Sequence, residues 1–264
     1  MLIVKIGGNI LDNPSRLHSF LVDFSKLQGP KLLVHGGGKI ASAIGQRLGI
    51  TPVMVEGRRV TDAETLELVT MVYGGLVNKQ VVAQLQSLGC NAIGMTGADA
   101  NAILATKRPV HEIDYGFAGD IAGNKNINTN ALDAILLAGL TPVFAPLTHD
   151  GKGTMLNTNA DTIASVLATA LATKYKVTLM YCFEKKGVLS DTTDDESVIA
   201  HINSEKYKAL KESGIVTAGM IPKLDNAFSA LKQGVSEVLI GEAEALLSVE
   251  ETDTIFAGTT ITLN

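Results

Sequence analysis

Leu2-Ile3-Val4-Lys5-Ile6-Gly7-Gly8 opens the chain, and Lys31-Leu32-Leu33-Val34-His35-Gly36-Gly37-Gly38 repeats its plan. Each is a short β-rich apolar run stopped by glycines. Runs that are apolar at consecutive positions predict strands buried on both faces, as in a parallel sheet covered by helices. Between them, Leu17, Phe20, Leu21, Phe24 and Leu27 fall at helical spacing and predict a helix over Pro14 to Leu27. After the second run, Ile40, Ala43, Ile44 and Leu48 mark a helix that ends at Gly49. This βαβα start predicts an α/β fold with a mostly parallel central sheet and right-handed crossovers.

The alternation continues. Pro52 to Thr61 reads as a short polar excursion, a candidate hairpin. Asp62 to Gln86 reads as helical with a break at Gly74-Gly75, and Ala131–Leu137 as a helix closed by Gly139. Strands are expected at Ala92–Met95, Ala102–Thr106, Gly119–Asn124, Thr141–Ala145, Lys176–Cys182, Glu237–Ile240 and Thr259–Leu263. Helices are expected over Asn159 to Thr173, Ser204–Glu212 and Pro222–Lys232. The charged run Ser190 to Ser197 reads as a solvated loop, and a boundary is placed near residue 174.

Composition narrows the function. With 46% hydrophobic and 19% charged residues over 264 positions, the chain can fill a core and is not disordered. A net charge of −5 matches neither a nucleic-acid backbone nor an anionic membrane. Cys90 and Cys182 form no CxxC pair, so no zinc ribbon or disulfide framework is expected, and a reducing cytosol fits. No signal peptide is seen, and the richest apolar run, Ala131 to Leu147, is too short and too interrupted to span a bilayer. A cytoplasmic protein follows as the expectation.

Several residues stand out chemically. Lys5 interrupts a buried strand beside Gly7-Gly8, near the carboxyl end where open α/β sheets bind ligands. It either meets a phosphate there or pairs with a carboxylate. Gly36-Gly37-Gly38 exposes N–H groups at a helix N-terminus, an anion site by geometry. The same glycines, through Ala41 and with Glu56 about 20 residues on, loosely match a dinucleotide fingerprint. In Leu156-Asn157-Thr158-Asn159-Ala160-Asp161, Thr158 or Asn159 can cap a helix and Asp161 suits its dipole. Asn157 is left over and points to a ligand. Pro222 fits a first helical turn, where Lys223 opposes the dipole unless an anion sits there. Arg58-Arg59 is either a carboxylate fork or a solvated pair. No HExxH, GxSxG or GxxxxGK[ST] pattern occurs, so no protein-held metal is expected.

Taken in order, Lys5-Ile6-Gly7-Gly8, Val34-His35-Gly36-Gly37-Gly38, Glu56-Gly57-Arg58-Arg59-Val60-Thr61, Leu156 to Asp161, and Thr217-Ala218-Gly219-Met220-Ile221-Pro222-Lys223 resemble the amino-acid kinase family. The arginine-containing element and the NxNAD element point to its acylglutamate branch; aspartokinases and carbamate kinases lack this set. The resemblance implies a three-layer αβα sandwich. Residues 1–174 would form the acyl-amino-acid-binding and dimerisation lobe, and residues 175–264 the nucleotide lobe. It implies transfer of the γ-phosphoryl of ATP to the side-chain carboxylate of N-acetylglutamate, in arginine biosynthesis, with magnesium arriving on the nucleotide. N-succinylglutamate is the alternative substrate, and a non-catalytic ligand sensor a more distant one.

By the same resemblance, Lys5 and Lys223 would face the transferred phosphoryl from opposite lobes, with Asp161 holding both. Gly7 and Gly8 would bind nucleotide phosphate. Gly37 and Gly38 would serve the substrate side, Arg59 would grip the α-carboxylate, and Asn157 with Asn159 would meet the carboxylate and amide. A carboxylate acceptor needs no general base, which suits a site of glycines and lysines. Two stretches depart from the family pattern: Tyr181-Cys182-Phe183-Glu184-Lys185-Lys186-Gly187, where a short Asp-x-x-Gly turn is usual, and Thr96–Asn101. Arginine-inhibited relatives carry an extra N-terminal helix; here the first strand opens the chain, so an arginine-insensitive homodimer is expected.

Overall fold

The computed structural model describes residues 1–55, 57–216, 220–249 and 256–264. Glu56 and Thr217-Ala218-Gly219, which carried parts of two motifs, lie outside the described residues.

Eight strands form one sheet: β1 Leu2–Ile6, β2 Lys31–His35, β3 Ala92–Met95, β4 Thr141–Phe144, β5 Thr178–Cys182, β6 His201–Ile202, β7 Glu237–Gly241 and β8 Thr259–Ile261. Their spatial order is β6-β8-β7-β5-β1-β2-β4-β3. Every neighbouring pair is parallel except β7 with β8. The first two strands match the sequence reading residue for residue, because glycine or proline bounds each run and both faces are buried.

Alternation along β1 splits its side chains between two cores. Ile3 joins Leu32, Val34, Phe144 and Leu179 under the helices Ala160–Leu171 and Ile221–Lys232. Val4 and Ile6 join Leu33, Val143 and Met180 under the helices Pro14–Lys26 and Asn78–Ser87. The result is the three-layer sandwich with a mostly parallel central sheet. The chain runs from β1 to β2 on one side and returns to β5 on the other. A crevice therefore opens beyond the carboxyl ends of β1 and β5.

Three local readings are corrected. Gly74-Gly75 does not break the long helix: the helix Ala63–Val69 runs through a π-helical stretch, Thr70–Val77, into Asn78–Ser87. Gly74 packs close to the Leu147 side chain, so its missing side chain serves packing. The strands expected at Ala102–Thr106 and Gly119–Asn124 shrink to an antiparallel pair, Thr106–Lys107 with Gly119–Asp120. A further ribbon, Leu147–His149 with Met155–Asn157, joins them near the sheet. Among the described residues no helix is long and apolar enough to cross a membrane.

Candidate active site

Alternation places Lys5 on the same face of β1 as Ile3, beneath the start of the helix Ala160–Leu171. Lys5 is buried, and its Nζ lies 2.8 Å from Asp161 Oδ1. The contact is an ion pair set off the hydrogen-bonding direction. Asn159 caps the helix, its Oδ1 accepting from Asp161 N at 2.8 Å and Thr162 N at 3.1 Å. The cap fixes where the chain enters the helix, and so where Asp161 meets the strand.

Two glycine turns flank this pair. Gly7 precedes the short helix Gly8–Leu11, and a side chain there would start 3.6 Å from Lys5 Nζ. Gly37 has φ +145°, and a Cβ on it would meet the Tyr73 ring at 3.0 Å. Only glycine combines that backbone conformation with that approach. Tyr73 comes from the π-helical stretch, and its hydroxyl is pushed above its ordinary pKa by burial, with Arg59 opposing.

The hairpin Met54–Val55 with Arg58–Arg59 separates the two arginines: Arg58 is exposed and Arg59 buried. Arg59 Nη2 donates to Gly38 O at 2.9 Å and Ser42 Oγ at 2.8 Å. Its Nη1 is buried without a partner among the described residues. Asn157 Nδ2 donates to Thr61 Oγ1 at 2.9 Å, and Thr61 Oγ1 donates to Arg59 O. The sequence-predicted Arg59 and Asn157 are thus tied together through Thr61.

His35 is fully buried and belongs to the scaffold. Asn78 Nδ2 donates to His35 Nε2 at 3.1 Å, which leaves Nδ1 to donate to Gly36 O at 2.7 Å. Burial holds its pKa down at about 4, against the weaker upward pull of the Gly36 contact. The ring is neutral near pH 7 and unavailable as a base.

Two cavities have walls next to the Lys5–Asp161 pair: Ala160, beside Asp161 in the chain, lines one, and Gly7, where a Cβ would lie 3.6 Å from Lys5 Nζ, lines the other. One, of about 210 Å³, is walled by Gly36–Gly38, Arg59, Tyr73, Arg108 and Asn157–Ala160. The other, of about 330 Å³, is walled by Gly7, Gly8, Phe183, Glu184 and Lys223 among others. Lys223 sits in the first turn of the helix Ile221–Lys232, and its Nζ lies 3.7 Å from the centroid of the Phe183 ring. Burial lowers its pKa, Asp161 raises it, and Lys5 lowers it further. Among the described residues Asp161 forms an ion pair with Lys5 but not with Lys223.

Sequence reasoning missed Tyr73, Arg108 and Phe183. Only the crowding at Gly37 hints at Tyr73. Arg108 enters the first cavity while its guanidinium is forked onto Asp120 at 2.5–3.1 Å. The whole arrangement gathers cations and glycine backbone around two cavities, which suits phosphate and carboxylate groups. Among the described residues no cluster of three or more His, Cys, Asp or Glu could hold a metal ion.

The chain is 57% identical to the acetylglutamate kinase of Cytophaga hutchinsonii over 266 aligned positions, covering 100% of this chain and 99% of the relative. It is 57% identical to the acetylglutamate kinase of Phocaeicola vulgatus, covering 93% and 95%. Among solved structures it superposes on carbamate kinase from Giardia lamblia bound to AMP-PNP with a TM-score of 0.69 at 14% identity, covering 100% of this chain and 98% of that one. That likeness speaks to the fold alone. The amino acid kinase family model matches residues 1–242, and with relatives this similar over their whole length the chain belongs to the amino acid kinase family.

Proposed function

We propose that this enzyme transfers the γ-phosphoryl group of ATP to the side-chain carboxylate of N-acetyl-L-glutamate, giving an acyl phosphate and ADP for arginine biosynthesis. The observation that carries the reading is a set of cations beside two cavities: Arg59, with a buried unpartnered Nη1, walls one, Lys223 walls the other, and the Lys5–Asp161 pair adjoins Ala160 and Gly7 in their walls. The names of the full-length relatives favour the acetyl over the succinyl substrate.

In this reading the acylated amino acid occupies the first cavity. Arg59 Nη1 takes its α-carboxylate, with Asn157 and Asn159 on the carboxylate and amide side. Gly37 and Gly38 offer N–H groups to the accepting carboxylate. ATP occupies the second cavity with its phosphates against Gly7 and Gly8. Lys5 and Lys223 stabilise charge on the equatorial oxygens of the moving phosphoryl, and Asp161 orients Lys5. The acceptor oxygen is already ionised, so attack needs positioning and charge stabilisation and no proton transfer. Magnesium carried by the nucleotide would neutralise phosphate charge, and among the described residues no cluster of carboxylates stands ready to hold it.

The residue division 1–174 and 175–264 then corresponds to an acyl lobe and a nucleotide lobe, with Gly7 and Gly8 reaching across. A homodimer in the cytoplasm completes the proposal, and light scattering tests the dimer.

The deciding experiment traps the acyl phosphate with hydroxylamine on N-acetylglutamate, N-succinylglutamate and free glutamate, side by side. Turnover of the acetylated substrate is expected. Lys223→Ala should lower kcat by about 10²–10³-fold, or roughly 3–4 kcal/mol, as when another charge-stabilising donor is removed. Full turnover by that variant would sink the mechanism.

A further inference from the structure

Phe183 stands in a stretch that departs from the family pattern, and the register of the sheet explains where its ring lands. Lys5 of β1 pairs with Tyr181 of β5. Two residues on, Phe183 projects on the same face, past the end of β1. Its backbone N–H donates to Gly241 O at 2.8 Å, which anchors it to β7. Its ring stacks parallel on Tyr181, with centroids 5.9 Å apart and 5° between the planes. Tyr181 is itself buried, and its hydroxyl donates to Asp161 O at 3.4 Å. The Phe183 ring is therefore backed by a packed aromatic and cannot swing freely.

Both lysines face that ring. Lys223 Nζ lies 3.7 Å from its centroid and Lys5 Nζ 5.6 Å. Asp161 forms its ion pair with Lys5; Lys223 has no ion-pair partner among the described residues, and Asp161 and Glu184 attract it only at longer range. The ring face carries negative quadrupole potential and attracts an ammonium without adding a formal charge. That difference bears on phosphoryl transfer. A carboxylate beneath Lys223 would bind it firmly but would repel the oxygens of the incoming phosphate. A π-face holds the ammonium in place and leaves its whole charge for the anion.

We propose that Phe183 is a positioning residue: its ring holds Lys223 beside Lys5, so that both ammoniums converge on one phosphoryl group. The inference rests on the kinase reading above. It makes kcat, rather than nucleotide affinity, the quantity that depends on the ring. A ring that merely stacked on the base of ATP would do the opposite.

The test compares Phe183→Leu, which removes the π-face, with Phe183→Tyr and Phe183→Trp, which keep one. Phe183→Leu should lower kcat about 10-fold, the scale of one partly desolvated cation–π contact, and leave KM for ATP within about 3-fold. Tyr and Trp should restore most of kcat. Thermal melts confirm folding of each variant. The contact is read without turnover by reductive ¹³C-dimethylation of lysines, with the Lys223 resonance assigned by its loss in Lys223→Arg. In the wild type that resonance should lie upfield of the other dimethyl-lysines, and in Phe183→Leu it should rejoin them. A Phe183→Leu variant with unchanged kcat, or one that raises only KM for ATP, overturns the proposal. So does a Lys223 resonance that ignores the ring. A shifted resonance in a wild-type protein that phosphorylates no acylated glutamate would sink the kinase reading and leave the lysine–ring contact standing.

Discussion

Asp161→Asn should destabilise the protein more than Lys5→Met does, although each breaks the same ion pair. The two charges lie 2.8 Å apart. Two unit charges at that distance attract by roughly 6 kcal/mol at an effective dielectric constant of about 20. Desolvating Lys5 within a strand offsets much of that. The Asp161 side chain is 32% exposed against 11% for Lys5, so solvent screens the carboxylate end. What each substitution leaves behind then decides the order. Asparagine at 161 strands an ammonium in a buried strand and also removes the negative charge from the first turn of the helix Ala160–Leu171. Methionine at 5 strands a carboxylate at a helix N-terminus, where the dipole favours it. We expect a loss of about 2–3 kcal/mol for Asp161→Asn and about 1 kcal/mol or less for Lys5→Met. Urea unfolding of both single variants and the double variant, followed by circular dichroism, closes the cycle. The expected coupling is about 1–2 kcal/mol, and a coupling below about 0.3 kcal/mol would be ordinary additivity. That result, or the reverse order of the single variants, refutes the reasoning.

Gly94→Ala should cost about 2–3 kcal/mol in the same unfolding assay, the scale of overpacking a core. Its new Cβ would lie 1.9 Å from Asn78 Oδ1, and Asn78 is pinned by bonds to His35 and to Val143 O; a loss under about 0.5 kcal/mol would show that the pin is slack. His35 predicts a pH dependence. Its folded pKa of about 4 lies below the ordinary 6.5, so between those values the unfolded chain takes up a proton that the folded chain refuses. Stability from this group is intact above pH 6.5 and should fall by about 3 kcal/mol as the pH drops to about 4. His35→Gln should flatten that part of the profile, and an unchanged slope would count against a buried neutral ring.

The parts of the fold that were legible are those where one requirement dominates. β1 and β2 must be apolar on both faces and must stop before the site, and glycines mark the stop. A cap at Thr158 or Asn159 was readable because a side-chain acceptor before an apolar helical stripe has few other uses, and the structure gives it to Asn159. The ribbon Leu147–His149 with Met155–Asn157 was not read, though Asp150-Gly151 is a turn signal. There Asp150 Oδ1 accepts from Lys152 N and Thr154 N. Between β4 and Leu147 only Ala145-Pro146 intervenes, so the one local sign of a second strand is that proline. β8 reads as an ordinary β-branched run, and its antiparallel direction depends on the path of the chain.

For the candidate site the dividing line is charge and backbone against shape. Lys5 and Asn157 declare themselves because a cation in a buried strand, or an amide left over beside a helix cap, needs a partner, and that need can be inferred before the partner is known; Arg59 is singled out by the family resemblance. The hairpin turns Arg59 inward and leaves Arg58 exposed. Tyr73 and Phe183 carry no such demand. An aromatic side chain at a strand end or on a helix is ordinary core material by every sequence criterion. Its second use appears only when the sheet register brings two ammoniums over one ring, as at Phe183, or when a glycine is squeezed against it, as at Tyr73. A neutral surface that steers a cation leaves no pattern of its own in the sequence. It is found by asking what touches Lys223 when, among the described residues, no carboxylate forms an ion pair with it.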